Sequence, residues 1–234
     1  MVYIIKYLAN IGVASRRKVQ EMIQQGGVVV NNQVVINPAL LVDPLKDEIL
    51  VDGKKIKNQK NLVYIILNKP KGVVSTASDE HDRATVVSLV GSNQRLYPVG
   101  RLDQTSSGLI LLTNDGDLAN KLTHPKFYTP KTYEVLVVGI VSPGQIIRLQ
   151  TGINLKEGKT APAEVEILED LQKKTVLKIV IYEGKNHQVK RMCSMVGLEV
   201  LALKRVAIGS IGLGNLKPGE YRELTHKEIS LLKK

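Results

Sequence analysis

The stretch GRLDQTSSGLILLTNDG, residues 100–116, sets one carboxylate, Asp103, between a Gly-Arg pair and a run of small hydroxyl side chains, just ahead of an apolar strand. A lone acid in a loop rich in hydrogen-bonding groups has few uses. Glycoside hydrolysis calls for two carboxylates across a sugar, and the neighbouring Asp115 and Asp117 read as a turn residue in NDG and a helix N-cap. Ser106 and Ser107 lack the strand-elbow-helix setting of a GxSxG nucleophile, and no histidine lies near them in sequence. A GxxxxGK[ST] loop is absent, and GSIGLG (209–214) lacks a following helix, which argues against nucleotide-dependent phosphoryl transfer. The single cysteine, Cys193, excludes an intramolecular disulfide and a cysteine zinc site, and the four histidines (His81, His124, His187, His226) show no metal-ligand spacing. Asp103 is therefore either a metal-free catalytic acid or a residue that caps a turn.

The charge pattern narrows the partner. Lys and Arg number 33 against 22 Asp and Glu, a formal net charge of +11 over 234 residues, so the long-range field attracts polyanions, nucleic acid or an anionic membrane surface. The two flanks are basic, with 9 basic and 5 acidic side chains in residues 1–60 and 18 and 11 in residues 125–234, whereas the segment holding Asp103 carries 6 of each. No apolar run approaches the roughly 20 residues that span a bilayer, and the N-terminal MVYIIKYLANIG is interrupted too early by Lys6 for a secretion signal, so a soluble cytoplasmic protein is expected. With no tryptophan and one phenylalanine, the core is aliphatic and each of the eight tyrosines invites a specific reading.

Residues 1–60 read as a self-contained module. A short helix near Ile4–Asn10 precedes Ser15, which caps a second helix over residues 16–25 that Gly26 and Gly27 stop. Val19, Met22 and Ile23 share one face of it, while Arg16, Arg17 and Lys18 crowd its first turn, where the helix dipole disfavours cations. VVV-NN-QVV and ILVDGKKI read as tight hairpins. The polar run KNQKN (57–61) is the expected linker. From Leu62 onward strands predominate: YIILN leading into the turn KPKG, LILLTNDG ending in a hairpin-like turn, KTYEVLVVG and TVLKIVIYEG. Helices are expected from Asp117, from Ser142-Pro143 to Gly152, after Asn186 to Gly197, and from a Thr225/Glu228 capping box to the C-terminus. The order of elements indicates an α+β fold rather than alternating β-α-β units.

GRLDQTSSGLILLTNDG, the upstream LNKPKG, the downstream KTYEV, and EGKNHQVKRM followed by VGLEVLALKRVAIG resemble the motifs of the bacterial ribosomal small- and large-subunit pseudouridine synthases, the RsuA/RluB-type family. YLANIGVASRRKVQEMI resembles the S4-type RNA-binding domain that commonly precedes that catalytic domain. The resemblance runs over nearly the whole chain in order. It implies an S4-type RNA-binding domain over residues 1–60 and a catalytic domain over residues 61–234, whose pseudouridine synthase fold is a mainly antiparallel mixed β-sheet with flanking helices.

The reaction it implies is isomerisation of uridine in ribosomal RNA, free or in a pre-ribosomal particle, by a monomeric enzyme without cofactor or metal. The C1′–N1 bond breaks, the base turns, and C5 joins C1′. One carboxylate suffices, as a nucleophile at C1′ or a base at C2′, and both routes stay open. The resemblance makes Asp103 catalytic, assigns Tyr133 of KTYEV to stacking on the uracil, and makes Leu203 of LALKR an apolar wall of the base pocket. It also makes Lys190 of HQVKR the cation that holds Asp103, with neighbouring Arg191 as the alternative if a bidentate partner is required. Arg101 is a candidate phosphate contact or a loop ion pair, and Lys6, Arg16, Arg17, Lys18, Arg191, Lys204 and Arg205 are candidate RNA contacts that would offset the few kcal/mol of extruding a stacked nucleotide. Two departures stand out: GGVVVNNQ (26–33) has no charge where family members often carry a basic residue, and Cys193 stands where an aromatic residue is common. GVASRRKVQEMI leans toward the large-subunit branch, hence 23S rRNA. The rivals are a non-catalytic RNA-binding assembly factor and a nucleoside hydrolase, the latter lacking a second placed carboxylate.

Overall fold

A computed structural model describes residues 1–56 and 61–234, and the expected linker over 57–61 lies, apart from Asn61, outside them. The chain divides into two compact units, residues 1–62 with 93–95, and residues 63–92 with 96–234.

The first unit contains β1 (Val2–Tyr3), α1 (Ile4–Asn10), α2 (Arg16–Gln24), β2 (Val28–Val30), β3 (Gln33–Val34), β4 (Leu41–Val42), β5 (Ile49–Val51) and β6 (Lys54–Lys55). α2 starts where Ser15 Oγ accepts from the Lys18 amide at 3.1 Å. It buries Val19 and Ile23 completely against Ile4, Leu8, Val28 and Val42, at roughly 1.5–3 kcal/mol for each side chain removed from water. β2 pairs antiparallel with β3 and β5, and β5 with β6. Both turns adopt the left-handed backbone that short hairpins need: Asn31 and Asn32 at φ 49° and 63°, Asp52 and Gly53 at φ 48° and 74°.

The second unit opens with β7 (Tyr64–Lys69), β8 (Tyr97–Val99), β9 (Ser107–Thr113), α3 (Gly116–Thr123), a short 3-10 turn (Pro125–Phe127) and β10 (Lys131–Val138). It continues with α4 (Pro143–Thr151), β11 (Asn154–Leu155), β12 (Gly158–Lys159), β13 (Glu164–Asp170), β14 (Lys174–Ile181) and α5 (Gln188–Met195), and closes with β15 (Val200–Ile208), β16 (Ile211–Gly212), β17 (Tyr221–Glu223) and α6 (His226–Lys233). Among the described residues a nine-stranded sheet runs β13-β14-β10-β15-β9-β7-β17, with β8 on β9 and β16 on β15. All its pairings are antiparallel but one: β15 meets β9 in parallel through Lys204↔Ser107 and Arg205↔Gly108. This is the mainly antiparallel α+β architecture expected.

That parallel contact is close. Gly108 sits at φ +105°, and a Cβ there would lie 2.2 Å from the Arg205 carbonyl oxygen, so only glycine fits. On one side of it Val135, Val137, Leu177, Ile179 and Leu203 pack beneath α4 and α5. On the other, Tyr64, Ile66, Leu109 and Leu111 pack against Leu118, Leu122 and Leu232 of α3 and α6, and the opposite face of β7 and β9 is covered by Val73, Val86, Val90 and Leu96.

One reading of the sequence is corrected. NDG after β9 is not a hairpin turn but the start of α3: Asp115, not Asp117, is the N-cap, its Oδ1 accepting from the amides of Asp117 and Leu118 at 3.2 and 3.1 Å. Asp115 is buried, and its Oδ2 also accepts from the Tyr64 hydroxyl at 2.7 Å. It serves the fold. The capping boxes Ser142/Gln145 on α4 and Thr225/Glu228 on α6 are both formed. Among the described residues no helix is long and apolar enough to cross a membrane.

Candidate active site

Asp103 lies in the loop between β8 and β9, and backbone contacts from the KPKGVVS segment fix that loop. Ser75 Oγ donates to the Leu102 carbonyl at 2.7 Å and accepts from the Leu102 amide at 3.0 Å, holding both ends of the residue before the acid. The Gly72 amide donates to the Gln104 carbonyl at 2.8 Å, and Gln104 Nε2 donates back to the Gly72 carbonyl at 3.0 Å. The Ser106 amide closes the turn on the Asp103 carbonyl at 3.0 Å. Leu102 is buried in the core, so the neighbouring side chain turns the other way.

That way leads into an open cleft of about 700 Å³, lined in part by Arg101, Asp103, Tyr133, His187, Leu203 and Arg205. The volume suits a nucleotide-sized ligand. Asp103 is 27% exposed, so its carboxylate opens to the cleft.

The cations come from α5 and the turn before it. Lys190 Nζ stands 3.2 Å from Asp103 Oδ2 and donates to Thr105 Oγ1 at 2.7 Å. Arg191 turns elsewhere, as a step of about 100° along a helix requires. Its guanidinium takes Glu157 through two hydrogen bonds, at 3.1 and 2.7 Å, and the Asn186 carbonyl at 3.2 Å. This corrects Arg191 as an alternative partner of Asp103. The Glu157 carboxyl is held below the usual range chiefly by its hydrogen bond to Arg191.

A second base stands beside the acid: His187 Nε2 lies 3.2 Å from Asp103 Oδ1. In the sequence His187 shows only that it lacks metal-ligand spacing, because its approach to Asp103 depends on the left-handed turn that starts α5. Lys69, also passed over, is completely buried at the end of β7, where its ammonium donates to the Pro70 and Val73 carbonyls at 2.9 and 2.8 Å. Burial lowers its pKa to about 8, against a smaller upward pull from Asp103.

Tyr133 and Leu203 reach the cleft from the paired strands β10 and β15, each 7% exposed. Arg205, opposite Tyr133 in the register, is not a solvated phosphate contact but a buried side chain whose Nε donates to the Leu109 carbonyl at 2.8 Å. Among the described residues, its Nη2 and the buried Ser106 Oγ have no hydrogen-bond partner. Lys131, two residues before Tyr133, is lowered in pKa by burial and then by the neighbouring Arg205 charge. Arg101 is exposed, and among the described residues no ion pair is formed within its loop. Lys204 is half-buried on β15.

In the first unit, Arg16 and Arg17 are exposed, Lys18 pairs with Glu21 at 3.0 Å, and Lys6 is half-buried. Cys193 is fully buried and its thiol is pushed up to about 12 by burial, consistent with a small core residue. Among the described residues no group of three or more His, Cys, Asp or Glu side chains is placed to hold a metal ion.

Comparison with known proteins shows what the chain as a whole is similar to. A family described as RNA pseudouridylate synthase matches residues 63–195, and the S4 domain matches residues 4–49. The ribosomal large subunit pseudouridine synthase B of Bacillus subtilis (strain 168) is 45% identical over 231 residues, spanning 97% of this chain and 94% of that protein. An uncharacterized RNA pseudouridine synthase of Aquifex aeolicus (strain VF5) is 43% identical, spanning 97% of this chain and 92% of its own. A crystal structure of a pseudouridylate synthase superposes with a TM-score of 0.72 at 32% identity, covering 99% of this chain and all of the other.

Proposed function

The chain belongs to the RNA pseudouridylate synthase family, and from that premise we propose that it isomerises a specific uridine of ribosomal RNA, in the large subunit, with Asp103 as the reacting carboxylate. The observation that carries the reading is the pairing of Asp103 with Lys190 at the edge of an open cleft that Tyr133 and Leu203 also line. The 45% identity to a protein named for the large ribosomal subunit, across nearly both lengths, supports the choice of target.

An RNA uridine reaches such a cleft only when turned out of its stack. The Tyr133 ring stacks on the uracil and Leu203 closes its apolar edge, which replaces the stacking lost in the helix. The ribose then lies at Asp103. The carboxylate attacks C1′, or removes the proton at C2′ to give a glycal; the same placement serves either route. The C1′–N1 bond breaks, the uracil turns, and the C5–C1′ bond forms as the Asp103–C1′ bond breaks in the first route or as Asp103 returns the proton to C2′ in the second; C5 then loses its proton and N1 gains one. No electrons are exchanged with a partner and nothing is hydrolysed, so atoms balance without cofactor. Lys190 holds the carboxylate by charge and by its tether to Thr105. The exposed Arg101 meets a flanking phosphate.

In this reading residues 1–60 form the RNA-binding domain, with Lys6, Arg16, Arg17 and Lys18 facing the backbone of the RNA, and residues 61–234 form the catalytic domain. The enzyme works as a cytoplasmic monomer on rRNA or a pre-ribosomal particle. The net charge of +11 suits that partner.

The test uses rRNA transcripts carrying C5-tritiated uridine, with tritium release as readout. Wild-type protein releases tritium; Asp103→Asn binds the RNA but releases none above background. Substantial release by Asp103→Asn refutes the assignment. Pseudouridine mapping in rRNA from cells with and without the gene identifies the subunit, and loss of a site in the small subunit alone overturns the large-subunit target.

A further inference from the structure

We propose that His187 is a positioning residue for Asp103: with Lys190 it forms a two-point clamp in which each carboxylate oxygen has its own nitrogen partner within ion-pair distance. The inference rests on Asp103 being the reacting group. Lys190 Nζ takes Oδ2 at 3.2 Å and His187 Nε2 takes Oδ1 at 3.2 Å. A lysine alone makes one point contact and leaves the carboxylate free to rotate about Cβ–Cγ, whereas a guanidinium would hold both oxygens in a plane. Here two side chains supply what one arginine would. Nε2 can donate toward the carboxylate whenever it carries a proton, as in the Nε2-protonated imidazole and the imidazolium.

Local structure gives no other reason for histidine at this position. His187 occupies the N-cap of α5 in the left-handed conformation, φ 48°, without any side-chain capping hydrogen bond. Asn, Asp or Gly would serve better there on both counts. The side chain is 55% exposed, so it is not held by burial. Its side chain meets Asp103, and a backbone conformation that costs about 1–2 kcal/mol for an L-residue is the kind of local strain that accumulates where a side chain must be aimed. The other cation near the acid, Lys69, has its ammonium committed to the Pro70 and Val73 carbonyls and does not take the second oxygen.

Three variants test this, each checked by thermal melting and assayed for kcat and KM by tritium release beside wild type and Asp103→Asn. His187→Asn tolerates the left-handed backbone but is too short to reach Oδ1, and kcat falls about 10-fold, the size of one charge-assisted hydrogen bond, with KM nearly unchanged. His187→Gln carries its amide nitrogen to where Nε2 stood and recovers most of that loss. Lys190→Arg placed in the His187→Asn background also recovers activity, because one guanidinium then holds both oxygens. Wild-type kcat in His187→Asn overturns the proposal, as does a rise in KM at constant kcat, which makes His187 an RNA contact instead. Failure of both rescues in variants that melt like wild type overturns it too. An inactive wild type, or an active Asp103→Asn, refutes the reading of Asp103 itself and is distinguished by those two controls.

Discussion

Replacing Lys190 by methionine removes the charge while keeping a chain of similar length and volume, so the perturbation is confined to the ammonium 3.2 Å from Asp103 Oδ2 and its hydrogen bond to Thr105. At that separation two unit charges interact by about 5 kcal/mol at an effective dielectric of 20 and by about 1 kcal/mol in bulk water. The two side chains are 28% and 27% exposed, which places the pair between those limits, about 2 kcal/mol. Lost from the transition state, that corresponds to a fall of about 30-fold in kcat. Arg191→Met is the matched comparison. Its guanidinium pairs with Glu157, whose side chain is 55% exposed, and an open surface pair of this kind is worth about 0–1 kcal/mol to stability and nothing to the reaction. Single-turnover tritium release at saturating enzyme separates chemistry from RNA binding. Lys190→Met within threefold of wild type, or a larger loss in Arg191→Met, refutes the assignment of Lys190 as the residue that holds the carboxylate.

Tyr133→Phe keeps the ring and retains kcat within about threefold, whereas Tyr133→Ala loses about 10- to 100-fold in kcat/KM, the span of one base–aromatic stack; equal losses in both variants would sink the stacking role. Gly108→Ala forces a Cβ to within 2.2 Å of the Arg205 carbonyl and is expected to cost more than about 3 kcal/mol in urea denaturation, with near-wild-type stability as the refuting result. Lys69 releases its proton at about 8 when folded, against an ordinary 10.5. Between those values the unfolded chain holds more protons, so wild-type stability rises relative to Lys69→Met as pH increases from about 8 to 10.5, by about 3 kcal/mol. A pH-independent difference between the two proteins in this window would show that Lys69 titrates normally.

The first unit and the helix starts were legible because their determinants are local. Ser15 before α2, the Asn31-Asn32 turn and the Thr225/Glu228 capping box each act within a few residues, and the chain needs no distant partner to express them. NDG was misread because Asp and Gly serve both tight turns and helix N-caps, and only the packing of Leu118 and Leu122 against β9 decides for the helix. The constellation of Asp103, Tyr133 and Lys190 was recognised through resemblance and not through spacing. Thr105 and Lys190 meet across 85 residues of chain, and nothing local records such a meeting. Choosing between Lys190 and Arg191 needed the orientation of α5, and Gly108 looked like one small residue among several until Arg205 came to lie against it.

The parallel contact between β9 and β15 has a consequence for the order in which the molecule becomes competent. Asp103 immediately precedes β9, whereas Lys190, His187, Tyr133 and Leu203 all belong to the other side of the sheet. The two sides are registered by Lys204↔Ser107 and Arg205↔Gly108. The local hairpin β13-β14 and the helices on either side can form before that junction closes, because their contacts are near in sequence and the junction's are far. A chain stalled at that point has nearly complete secondary structure and no chemistry. Catalytic turnover therefore reports closure of this long-range junction, and amide exchange at Gly108 and Arg205 is expected to follow the gain and loss of activity.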